Sequence, residues 1–163
     1  MIDYDLLCPE LQSALRAAGW YPERRFDITQ WVTSLQQEGY VLNPPAEKVL
    51  STLGGLVIEP VNRMGSNFSN DEPFSVDPVS AGAGQHALAL EIGEILGGQY
   101  FPIGEWLSYS TVFIEFGGNV VAAGLGWIWG LGDTFESALE LAICAHRPLV
   151  CLHSDPGLDP WPR

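Results

Sequence analysis

Three stretches crowded with aromatic and β-branched residues, 100–106, 108–116 and 120–129, follow one another with almost nothing between them. Gly117-Gly-Asn119 is a compact turn between the last two, so the stretches predict three consecutive antiparallel strands. Helical patterns surround this block. Pro9 opens a helix with Leu11, Ala14, Leu15 and Ala18 at helical spacing, and Gly19 ends it. Asp27, with Gln30 three residues on, has the pattern of a capping box for a second helix; its apolar face is Ile28, Trp31, Val32 and Leu35, and Gly39 stops it. Asn43-Pro-Pro starts a third, with Ala46, Val49, Leu50 and Leu53 facing inward and Gly54-Gly55 as terminator.

Residues 56–60 read as a first strand ended by Pro60, and 62–77, rich in Asn, Ser, Asp and Pro, as a surface loop. A helix over about 85–96 carries a broad apolar stripe of Ala87, Leu90, Ile92 and Ile95. Asp133 or Thr134 caps a last helix, 135–145, burying Phe135, Ala138, Leu139, Ala142 and Ile143. After Pro148 the chain is too proline-rich for regular structure. The expectation is an α+β fold in which a mostly antiparallel sheet of about four to six strands packs with N-terminal, middle and C-terminal helices. One domain spans 9–147, and 148–163 is a Pro-rich tail.

Charge narrows the function classes. With 7 Lys+Arg against 20 Asp+Glu the net charge is −13, which argues against a nucleic-acid-binding domain, and 47% hydrophobic residues argue against a disordered acidic tail. All seven cations lie outside 64–146, whereas that stretch holds Asp71, Glu72, Asp77, Glu91, Glu94, Glu105, Glu115, Asp133, Glu136 and Glu140. The surface it builds is anionic, repels phosphate backbones and hastens encounter with basic partners. The N-terminus carries acids where an export signal needs cations, and an odd number of cysteines, three, suits a reducing compartment; the expected location is the cytoplasm. The longest uncharged stretch, Phe116 to Gly132, is broken by six glycines and fits a strand pair better than a membrane span.

Catalytic signals are few. There is no Gly-x-Ser-x-Gly elbow and no phosphate-binding Gly-x-x-x-x-Gly-Lys, and Gly124-x-Gly126 lacks the third glycine of a dinucleotide fingerprint, so no cofactor is expected. Cys144, His146, Cys151 and His153 are ligand types that zinc prefers, but the Cys-x-His spacing is not that of known fingers. The plainer reading makes Cys144 a buried helix residue and His146 a helix-end imidazole. Glu136 and Glu140 share a helix face at i,i+4, and a solvated acidic face is the plainer account of them. Six tryptophans are many for this length; Trp127 and Trp129 would share a strand face, with Leu125 and Leu131 beside them.

One series of motifs runs through the chain in order. A helix ending in Gly19-Trp20 is followed by Pro22 and Arg24, an Asp-led helix with an internal Trp, Glu38-Gly-Tyr40, a Pro-led helix and Leu53-Gly-Gly-Leu-Val57. Phe74 to Pro78 supplies Phe-x-x-Asp-Pro, Tyr100-Phe-Pro-Ile-Gly104 follows, and Leu131-Gly-Asp133 precedes the closing helix. The series resembles the SUKH superfamily of bacterial immunity proteins, in its third named group, over roughly 11–145. Gly117-Gly-Asn119 stands where that family often has Asp-x-x-Gly, and the tail after His146 passes the usual end.

The resemblance implies a non-enzymatic cytosolic antidote that neutralises a cognate polymorphic toxin, commonly a nuclease or nucleic-acid deaminase, in competition between bacteria. The anionic stretch independently makes a basic toxin domain the expected partner, with no direct nucleic-acid or membrane binding. Gly19, Trp20, Pro22, Arg24, Gly54 and Gly55 would hold the fold, with Arg24 paired to an acid. The expected partner surface is acidic and aromatic: Glu105, Trp106, Tyr109, Glu115, Trp127, Trp129, Asp133, Glu136 and Glu140. A peptide-binding adaptor of the same fold and a zinc hydrolase built on the Cys/His tail are the alternatives.

Overall fold

A computed structural model of the chain describes residues 2–61, 67–107 and 110–162. After a 3-10 turn at Tyr4–Leu6, α1 (Pro9–Ala18) buries Leu11, Ala14 and Leu15, and Gly19 ends it at φ 105. This left-handed cap lets Trp20 N–H reach Leu15 O at 3.0 Å. α2 (Thr29–Gln37) starts later than the sequence suggests. Asp27 Oδ1 accepts from both Thr29 N and Thr29 Oγ1, at 3.0 and 2.7 Å, so the nearer hydroxyl takes the carboxylate and no capping box with Gln30 forms. Of its expected apolar face only Leu35 is buried; Ile28, Trp31 and Val32 are half-buried.

α3 (Pro44–Leu53) matches its local signals: Asn43 Oδ1 accepts from Ala46 N at 2.8 Å, and Ala46, Val49, Leu50 and Leu53 are buried. The chain then turns through Gly54 and Gly55 into β1 (Val57–Ile58). Next come β2 (Phe74–Ser75), α4 (Pro78–Gly82), capped by Asp77, and α5 (His86–Leu96). The chain continues through β3 (Tyr100–Trp106), β4 (Ser110–Glu115), β5 (Val120–Gly124), β6 (Trp127–Gly132), α6 (Phe135–Cys144) and β7 (Val150–Ser154).

The seven strands form one sheet in sequence order, each antiparallel to its neighbours. The architecture is α+β, with one strand more than the expected upper bound. Three local readings are corrected by long-range pairing. Phe74–Ser75, read as loop, pairs with both β1 and β3. The single strand expected over 120–129 is two, split by a two-residue turn at Leu125-Gly126, so that Leu125 sits at a hairpin tip and not beside the tryptophans on a strand face. The tail read as irregular contributes β7, which pairs with β6 from Trp127↔Ser154 to Gly130↔Val150.

Both faces of the sheet are covered at its centre, where every residue from Ser110 to Ile114 is buried. Thr111 Oγ1 donates to Ala81 O of α4 at 2.7 Å, which turns the odd positions of β4 toward α4 and α5. Its even positions face α3 and α6, and Asn43 Nδ2 donates to Ile114 O at 3.1 Å across that junction. α5 is the exception to efficient burial. Of its expected stripe only Ile92 is buried, together with Ala89, whereas Ala87, Leu90 and Ile95 are exposed. The helix lies on the sheet along a narrow line and leaves apolar side chains on both flanks.

Candidate functional site

The residues expected to hold the fold sit in different surroundings, and Arg24 has other partners than the acid expected. Trp20 is buried and stacks on Tyr4 with ring centroids 4.5 Å apart. Pro22 is exposed. Arg24 meets carbonyls, not an acid: Nη1 donates to Thr52 O at 2.8 Å and Nη2 to Gly54 O at 2.6 Å. These oxygens end α3 without helical partners, and a guanidinium fork suits them. Gly55 takes φ 82, and a Cβ on Gly54 would stand 2.6 Å from the Phe26 ring, so both glycines are required by the reversal into β1.

The expected partner surface does not come together as one patch. Trp106 is 0% exposed and Trp129 4%, because both side chains enter the core; neither is a surface anchor. Tyr109 lies outside the described residues. Trp127 is half-buried, stacked on Trp129 at 6.0 Å, and the two indoles donate to Asp159 O and Trp161 O at 2.9 and 2.6 Å. They anchor the C-terminal tail. Glu115 is half-buried, and its Oε2 accepts from Gly117 N at 2.7 Å, bracing the β4–β5 turn. Asp133 and Glu136 line a cavity with Lys48, whose Nζ lies 3.5 Å from Glu136 Oε1. Glu140 faces His146 at 3.9 Å, and Glu105 is half-buried on β3.

The four zinc candidates separate. Cys144 Sγ faces Cys8 Sγ at 3.8 Å, His146 faces Glu140, Cys151 Sγ donates to His153 O at 3.3 Å, and His153 Nε2 is 3.3 Å from Asp155 Oδ1. Among the described residues no three His, Cys, Asp or Glu side chains gather as a metal site. Burial pushes the Cys144 thiol up to about 12, with the Cys8 thiol and the carboxylates of Glu140 and Glu10 adding to it, and burial raises Cys8 as well. These thiols are protonated packing groups.

A groove that the sequence reading missed lies between α5 and the β5–β6 hairpin. It encloses about 320 Å³; Leu88 and Ile95 line one side, Leu125 the other, and Ile128 belongs to its floor. Glu91 and Asp155 stand at its margin. The signal for it was faint: Leu125-Gly126 is a hairpin turn whose first residue is not one of the usual turn formers.

The model of the SUKH-3 immunity protein family matches residues 8–144, from the cap of α1 to the end of α6. The chain belongs to the SUKH-3 immunity protein family. No curated protein and no solved structure matches it. Membership makes an immunity function, and hence a cognate toxin partner, the role of this SUKH-3 protein. The family span includes α5 and the β5–β6 hairpin but stops short of β7, so the SUKH-3 match covers two walls of the groove while Asp155 comes from beyond it. No described helix is long and apolar enough to cross a membrane.

Proposed function

We propose that this protein neutralises a polymorphic toxin that acts on nucleic acid, a nuclease or a nucleic-acid deaminase, by binding it in the cytoplasm, without catalysis of its own. The carrying observation is the net charge of −13 in a member of an immunity family. A protein that works on phosphate backbones presents cations, and an anionic binder meets that face by steered, fast association. Three of the seven cations are held by bonds within the fold: Arg24 serves the end of α3, Arg147 the carbonyl of Leu131, and Lys48 is matched by Glu136. Of the acids expected in the partner surface, Asp133 is exposed and Glu105 and Glu140 are partly exposed, placed to contribute to steering, whereas Glu136 is matched by Lys48.

The test uses a catalytically inactive form of the cognate toxin domain. Binding measured by calorimetry should weaken by at least about tenfold between about 50 and about 300 mM salt. Absence of binding, or binding indifferent to salt, would contradict the reading.

A further inference from the structure

We propose that the groove between α5 and the β5–β6 hairpin is the docking site for a basic, apolar-bearing segment of the cognate toxin. The inference rests on the toxin-binding reading and gives it a place.

The hairpin tip is the first observation. Leu125 and Gly126 form a two-residue turn with φ 55 and 92, the positive pair typical of a type I′ turn, in which Asn-Gly is favoured. Leucine there carries left-handed strain and is 68% exposed, so both backbone and solvent disfavour it. Across the groove Ile95 is 39% exposed on a helix that places only Ala89 and Ile92 in the core. Two apolar side chains thus face each other across an open cleft, above Ile128.

Charge selects the occupant. The margin offers the carboxylates of Glu91 and Asp155, the latter 3.3 Å from His153 Nε2, and among the described residues no Lys or Arg lines the groove. A second copy of this chain would bring another −13 and the same carboxylates, which disfavours self-association. A segment with apolar side chains for Leu125 and Ile95, and Lys or Arg for Glu91 and Asp155, satisfies both features. A charge at the rim governs the approach, whereas an apolar contact at the centre governs residence.

The experiment follows binding of a catalytically inactive form of the cognate toxin domain to surface-immobilised protein, comparing wild type with Leu125→Asn, Glu91→Lys and Asp133→Lys. Asn suits the left-handed turn and Glu91 is exposed, so these variants should keep the wild-type melting temperature or exceed it. Leu125→Asn is expected to speed dissociation by at least about tenfold, and Glu91→Lys to slow association several-fold and speed dissociation. Asp133→Lys, in a different cavity, should slow association without changing dissociation. Wild-type kinetics for both groove variants would overturn the docking site while leaving the toxin-binding reading intact; no binding by wild type would overturn both. A wild-type dimer that Leu125→Asn dissociates, seen by sedimentation, would make the groove a self-interface and overturn the proposal.

Discussion

Cys8 Sγ and Cys144 Sγ stand 3.8 Å apart, joining the cap of α1 to the end of α6 thiol to thiol. With the Cys144 thiol raised from the ordinary 9.0 to about 12, its thiolate fraction near neutral pH falls roughly a thousandfold. Alkylation of the native protein should therefore modify half-exposed Cys151 and leave Cys144 intact until denaturant is added, as mass mapping of the labelled peptides will show.

Alkaline pH should unfold the protein from a definite side. Burial raises Tyr40, Tyr100 and Cys144, and Tyr40 also donates its hydroxyl proton to Gly82 O at 2.8 Å. A group whose folded pKa is raised binds its proton longer in the native state, so its stabilisation is complete below the unfolded pKa and is lost as pH climbs toward the folded one. Chemical denaturation should give a flat stability between neutrality and about pH 9, then a progressive fall above it.

Asn43 is 2% exposed and uses both ends of its amide, one on Ala46 N and one on Ile114 O. Asn43→Ala removes an N-cap and strands a buried carbonyl, for a loss of about 2–4 kcal/mol in urea titration. Asn43→Asp keeps the cap acceptor but has no donor for Ile114 O and buries a charge, so it should not recover that loss.

Arg24→Lys should cost about 1–2 kcal/mol, because one ammonium cannot reproduce the two divergent bonds to Thr52 O and Gly54 O. Equilibrium denaturation measures it, and a neutral result would mean that water serves those carbonyls equally well.

What was legible in the sequence was what neighbouring residues decide. Gly19 ends α1 and Asn43 starts α3 through bonds within five residues, so their signals are local. β7 was not legible, because Pro148 and Pro156 flank a segment whose strand conformation comes from pairing with Trp127–Gly130. Phe74–Ser75 is likewise a strand only through its partners on β1 and β3. The same limit applied to the candidate surface. Residue type marks Trp106 and Trp129 as anchors without revealing that both are buried, and pattern alone makes the exposed Leu125 and Ile95 ordinary strand and helix positions.

The most direct measurement of the central claim is a titration of the active cognate toxin domain with purified protein, following destruction or deamination of its nucleic-acid substrate. The account predicts that activity falls linearly and vanishes near one equivalent, with the inhibition point displaced to higher protein by added salt. Full toxin activity at a roughly tenfold excess of this protein in low salt would contradict it.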